Sequence, residues 1–204
     1  MVCDGVGGAA AGEVASGIAV DQLAASLAAS SGPLGARLGL GITAANTAIR
    51  DYATRELDGA PSGSTIVAAL LTAGHATVAH VGDSRAYLYR SGSLSLLTVD
   101  HSFVVEQVKA GLIRPEDAPA HPLRGRLMKA LGIADAVVPD VREVELRPGD
   151  LLVLCSDGLH AMASDAEIAA TLHAASTDIA ATLVTLANDR GGKDNVTVAI
   201  WRVP

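Results

Sequence analysis

At 204 residues the chain has the length of one domain. With 50% hydrophobic and 18% charged residues it is too apolar and too weakly charged for an intrinsically disordered segment. A net charge of −7, scattered basic residues and 2% aromatics argue against a nucleic-acid binder, and the chain lacks a run of about 18 apolar residues that would suggest a membrane span.

In chain order, residues 13–29 predict a helix, with Val14, Ile18 and then Val20, Leu23 and Leu27 at helical spacing. Residues 34–57 predict a second, on Leu38, Ile42, Ala45, Ile49 and Tyr52, and Pro61-Ser62-Gly63 ends it. Strands follow at 65–71, 75–81 and 85–90, and Ser91-Gly92 is a two-residue hairpin into 94–97. Strands in succession without helices predict an antiparallel meander. The middle is irregular, with a helix at 103–111, a helix start at Pro115-Glu116-Asp117 and a His121-Pro122 turn. Strands are expected at 141–146, 151–155 and 196–201. Ser164-x-x-Glu167 reads as a capping box, and Thr177 as the cap of a last helix with Ile179, Leu183 and Leu186 inward. The pattern is layered α+β.

No basic start followed by an apolar block marks a secretory signal. Two cysteines, Cys3 and Cys155, make a disulfide scaffold unlikely and favour a reducing, cytoplasmic compartment. Both flank candidate functional residues, and each reads as a small packed thiol.

Four aspartates share one kind of setting, a Gly- or Ser-rich turn against an apolar strand. They are Asp4 in Asp4-Gly5-Val6-Gly7-Gly8, Asp83 in Gly82-Asp83-Ser84-Arg85, Asp157 in Ser156-Asp157-Gly158, and Asp194 in Gly191-Gly192-Lys193-Asp194-Asn195. Carboxylates held at strand ends, with glycine allowing close approach, suit the oxygen-seeking octahedral Mg²⁺ or Mn²⁺. They do not suit zinc, since no His or Cys pair has ligand spacing.

These segments, with Ser62–Leu71 (SGSTIVAALL), Leu97–Ser102 (LTVDHS) and His121–Gly132 (HPLRGRLMKALG), resemble the metal-dependent protein phosphatase 2C family of Ser/Thr phosphatases in its bacterial form. The matches span nearly the whole chain, in family order. The resemblance implies a fold of two packed antiparallel β-sheets flanked by pairs of helices, an α-β-β-α sandwich. It implies one domain over 1–204 with a flap-like insertion at about 98–132. It also implies hydrolysis of phosphoserine and phosphothreonine by a metal-bridged hydroxide, opposing bacterial Ser/Thr kinases.

By motif, Asp4 is expected to bridge two metals, with the Gly5 carbonyl on one of them and Asp157 and Asp194 on the second. Asp83 with Asp157 is expected to hold a third, weaker ion. The resemblance implies Mn²⁺ or Mg²⁺ as the cofactor, two or three ions. The partners are phosphorylated proteins, Ser/Thr kinases or their targets, with no nucleic acid and no membrane, and a monomer is the favoured state. Arg85 reads as a brace of the rim, and Asn195 as an orienter of Asp194 or of a metal water. His160 reads as a candidate for proton transfer, and His75 and His80 as structural. Arg124, Arg126 and Lys129 of the flap read as a solvated basic face.

The family carries an N-terminal segment before the Asp4 motif, with an Arg that grips substrate phosphate and a Glu-Asp pair at the first metal. Neither is present here. The domain is therefore expected to be N-terminally incomplete and its activity impaired, with little strand to hold Asp4. The alternative is a pseudophosphatase that binds phosphoproteins or a kinase. Two other readings are weaker. Gly82-Asp83-Ser84 with His160 imitates a Gly-Asp-Ser ester hydrolase, but a strand follows where a helix is needed. Gly5-x-Gly7-x-x-Ala10 imitates a dinucleotide fingerprint, but a second helix follows where a strand should be.

Overall fold

A computed structural model describes residues 1–6, 11–174 and 178–204. Helices α1 (Gly12–Ala29) and α2 (Leu34–Glu56) come first, followed by strands β1 (Ile66–Thr72), β2 (His75–Val81), β3 (Arg85–Arg90) and β4 (Ser93–Leu96). Then come α3 (Phe103–Lys109), a 3-10 helix (Pro115–Ala120), β5 (Asp140–Glu145), β6 (Leu151–Cys155), α4 (Asp157–His160), α5 (Asp165–Ala174), α6 (Ile179–Asp189) and β7 (Val198–Arg202).

The strands do not form one meander. They form two antiparallel sheets, β1-β2-β5 and β4-β3-β6-β7. The chain leaves the first sheet after Val81 and enters the second at Arg85. The turn between them contains Gly82 at φ 104°, a backbone angle that glycine adopts without strain.

Period-two alternation sets the layers. In β1, Ile66 and Ala68 face the helix pair α1/α2, while Val67 faces the other sheet. In β6, Leu151, Val153 and Cys155 face α5 and α6, while Leu152 and Leu154 face inward. Three apolar layers result: α1/α2 on the first sheet, sheet on sheet, and the second sheet on α5/α6. This is the α-β-β-α sandwich that the family resemblance implied. Each fully buried leucine in it, such as Leu23 or Leu183, contributes about 1.5–3 kcal/mol.

The start of the chain is better held than the sequence suggests. Val2 pairs with Val67 through two backbone bonds of 2.8 and 2.9 Å, and Thr65 N–H donates to the Asp4 carbonyl at 2.8 Å. Val6 N–H donates to Gly63 O at 2.9 Å. Three residues suffice because the β1 edge supplies the partner strand.

Other differences are local. Thr177 lies outside the described residues, and Asp178 caps α6, its Oδ1 accepting from Ala181 N–H at 3.0 Å. The Ser164–Glu167 box forms, with Ser164 N–H and Oγ both donating to the Glu167 carboxylate at 2.9 and 2.6 Å. Among the described residues, no helix is long and apolar enough to cross a membrane.

Candidate metal centre

The four sequence-predicted aspartates reach one rim of the sandwich from four directions. Asp4 comes from the segment on the β1 edge, Asp83 from the β2–β3 crossover, Asp157 from the first turn of α4 after β6, and Asp194 from the loop before β7. Each is close enough to feel the charge of others. Asp4 is pushed up to about 7, first by burial and then by repulsion from Asp157, Asp194 and Asp83, with Asp157 also within hydrogen-bonding reach. Asp83 is likewise pushed up to about 7, by burial, then by Asp157 and Asp100.

Local chemistry explains the convergence. Ser156 sits 1% exposed at the end of β6. Its N–H donates to Thr197 O at 3.0 Å, its Oγ donates to Asn195 O at 3.2 Å, and it accepts from Thr197 N–H at 3.1 Å. That stitch lays the start of α4 against the Asp194 loop. Gly158 is required there, since a Cβ would stand 2.3 Å from Asn195 O. Gly158→Ala is therefore expected to destabilise the fold by about 1–3 kcal/mol, measured by urea unfolding, and to loosen the Asp157–Asp194 pair.

Among the described residues, Arg85 is the cation whose charge is felt at Asp83, without an ion pair to it. Among the described residues, none of the four aspartates takes part in an ion pair. Arg85, the nearest candidate, is committed elsewhere: Nε and Nη2 hold Asp100 in a bidentate pair at 2.9 and 2.7 Å, and Nη1 donates to Tyr87 Oη at 3.0 Å. Tyr87 continues the chain to Asp165 at 3.1 Å. Arg85 thus braces the rim, as expected, through a partner the sequence reading did not single out. Arg85→Met would strand the buried Asp100 carboxylate and is expected to cost about 3–5 kcal/mol, measured by thermal unfolding.

Asp157 Oδ1 is buried and has no hydrogen-bond partner. An orphaned carboxylate oxygen among three further carboxylates is an oxygen-donor set short of positive charge, and it fits a hard divalent cation. Gly5 is carried between Asp4 and the Val6 N–H bond to Gly63, bridged to Ser64. Gly7 and Gly8 of the same motif lie outside the described residues. A cavity of about 500 Å³ lined by Asn188, Lys193, Asp194 and Asn195 opens beside the cluster.

Several other expectations resolve here. His160 Nε2 lies 3.0 Å from the Asp83 carbonyl, which can only accept, so this nitrogen carries the proton and anchors the turn. Asn195 meets Asp194 through its backbone N–H, at 2.8 Å from Oδ1, rather than through its side chain. Cys3 and Cys155 are free, and burial pushes both thiols up to about 12, so both are inert packing groups. Ser84 is 1% exposed and its hydroxyl shares a 2.6 Å hydrogen bond with that of Thr65, and among the described residues no hydrogen bond joins it to a base. An ester-hydrolase nucleophile needs the opposite of both.

The family model for protein phosphatase 2C matches residues 1–196. The chain belongs to the protein phosphatase 2C family. It is similar to the serine/threonine phosphatase stp of Listeria innocua, 39% identical over 207 residues, covering 98% of this chain and 82% of that one. It is 40% identical over 201 residues to the serine/threonine protein phosphatase PstP of Mycobacterium tuberculosis, covering 98% of this chain and 39% of PstP.

Solved structures agree. The crystal structure of the Mycobacterium tuberculosis phosphatase PstP/Ppp superposes with a TM-score of 0.91 at 40% identity, covering 98% of this chain and 86% of that one. The PstP catalytic domain in complex with 2 manganese ions has a TM-score of 0.86 at 38% identity, covering 97% and 84%. These protein phosphatase 2C relatives share the two-sheet architecture on which the four aspartates are mounted here.

Proposed function

We propose that this chain is a metal-dependent phosphoprotein phosphatase that releases phosphate from phosphoserine and phosphothreonine. The observation that carries the reading is the convergence of four uncompensated aspartates, with a buried orphan oxygen on Asp157, in a protein phosphatase 2C fold. In this reading Asp4, the Gly5 carbonyl, Asp157 and Asp194 hold two Mn²⁺ or Mg²⁺ ions, and Asp83 with Asp157 holds a third. Bound there, such ions supply a nucleophilic water at neutral pH and offset the charge growing on the phosphoryl oxygens.

The protein's own groups do the rest. Asp4 and Asp83 must be deprotonated to serve, and both are poised to lose a proton near neutral pH. The Arg85–Asp100 pair and the His160 contact to Asp83 O fix the rim, so little reorganisation is left at the moment of reaction. A cavity between α6 and the loop before β7 reaches the rim at Asp194. The partners are accordingly phosphorylated proteins, Ser/Thr kinases or their targets, met by a single domain over 1–204. The protein acts in the cytoplasm as a monomer.

The test is phosphate release from a phosphothreonine peptide with Mn²⁺, with EDTA in a parallel arm and Ser84→Ala as control. Turnover that needs Mn²⁺ and survives Ser84→Ala is the expected result. Turnover that survives EDTA and dies with Ser84→Ala would overturn it. Metal uptake without turnover would leave a phosphoprotein-binding module.

A further inference from the structure

Beside the acidic rim, on the inward side of the crossover, lies a second cluster of polar side chains. His80, His101 and Asp140 place one donor atom each within 4.8 Å of one another. The His80 and His101 rings stack at 4.8 Å between centroids and 11° between planes. His101 is 5% exposed, and its Nε2 lies 3.4 Å from Asp140 Oδ1 without a formed hydrogen bond.

A metal is not the reading of this cluster. Gly82 N–H donates to His101 Nδ1 at 3.2 Å, so Nδ1 must present its lone pair. The proton of the neutral ring then sits on Nε2, the atom a metal would need bare. His80 donates Nε2–H to Val99 O at 2.9 Å, so only its Nδ1 keeps a lone pair, and with His101 Nε2 protonated the cluster is one bare nitrogen and one carboxylate. Lys129 Nζ, at 3.7 Å from Asp140, already neutralises the carboxylate.

The same bonds point to another role. His101 satisfies both backbone groups of Gly82, since its own N–H donates to Gly82 O at 3.0 Å while its ring accepts from Gly82 N–H. Gly82, at φ 104°, is the residue before Asp83. On the far side of the turn His160 holds the Asp83 carbonyl. The Asp83 turn is thus gripped on both flanks by buried or half-buried imidazoles, in a stretch where the chain crosses between sheets and has no ladder to define it.

We propose that His101 is a positioning residue that latches the Gly82–Asp83 turn, and so sets the affinity for the cation held by Asp83 and Asp157; this rests on the metal-site reading above. The latch depends on an acceptor at the Nδ1 position. His101→Asn places an amide oxygen there, whereas His101→Gln reaches the Nε2 position and leaves Gly82 N–H unpaired.

The experiment is Mn²⁺ binding to the full chain by equilibrium dialysis, for wild type, His101→Asn, His101→Gln, and His101→Gln combined with Asp83→Asn. The weakest bound Mn²⁺ is expected to lose about tenfold in affinity in His101→Gln, to stay within about twofold of wild type in His101→Asn, and to show no further effect of His101→Gln once Asp83 is replaced. The tighter ions should be unmoved in all variants. Equal loss in both single variants, or loss spread over every ion, would make His101 merely structural and overturn the proposal. Wild-type affinity in His101→Gln would overturn it too. Wild-type chain that takes up no Mn²⁺ would instead overturn the metal-site reading, and the latch with it. A second measurement does not depend on the variants folding: ¹⁵N NMR of the wild-type His101 ring. A bare Nδ1 coupled to the Gly82 amide supports the latch, and a protonated Nδ1 refutes it.

Discussion

Asp157→Asn is expected to lower Mn²⁺-dependent phosphate release from a phosphothreonine peptide by roughly 10²–10³-fold. Asp157 is the aspartate that presses on both Asp4 and Asp83, and its Oδ1 is the buried oxygen without a partner. In the proposed site it contributes to more than one ion, so a near-isosteric amide removes charge where charge matters most. The same substitution has an opposite effect on the metal-free protein. It relieves repulsion on Asp4 and Asp83, so the variant is expected to melt at a higher temperature than wild type in EDTA above neutral pH. Lost activity with raised metal-free stability separates a site defect from a folding defect. Loss of both would mean that Asp157 is an ordinary structural residue.

The second large effect concerns pH and metal together. Asp4 and Asp83 rise from 3.8 to about 7 on folding, both chiefly through burial and then through neighbouring carboxylates. The folded state therefore holds protons that the unfolded chain has already released. Their contribution is fully present below the unfolded value and is lost as pH climbs through the folded one. In EDTA, the melting temperature is expected to fall by several degrees between about pH 5 and about pH 8. In the proposed site Mn²⁺ competes with those protons, so it is expected to stabilise more at the upper end than at the lower. Thermal melts with and without Mn²⁺ across this range check both statements. A melting temperature flat in EDTA across that window would mean that the carboxylates are not crowded as described.

The sequence made some of this legible and hid the rest for identifiable reasons. Strands β2, β3 and β6 coincide with their expected bounds because each is a short apolar run between turn residues. All four aspartates are visible because each sits at a glycine or serine turn against such a run, and the fold holds them within reach of one another's charge despite their repulsion. The split into two sheets was not readable from local pattern, since β2 and β3 look like consecutive hairpin strands. Only Gly82, packed 2.7 Å from Thr65 at its notional Cβ, marks where the chain crosses. Helix α4 looks like a turn in the sequence, because four residues beginning Asp157-Gly158 carry no periodicity. Asp100 and His101 drew no attention as partners. Their roles depend on Arg85 and Gly82, which are distant in sequence and become neighbours only when the crossover folds.

The crossover has one more consequence. Asp4 is carried by the first sheet, while Asp157 and Asp194 are carried by the second. The acidic rim is thus a gauge of how far the two sheets stand apart and how they slide on one another. Octahedral coordination tolerates little of either. Residues of the inter-sheet seam, such as Val78 on one side and Leu152 on the other, set the spacing that the rim reports. If the proposed site is filled, the apolar seam is part of its tolerance, and a cation seated across the rim acts as a rivet between the layers.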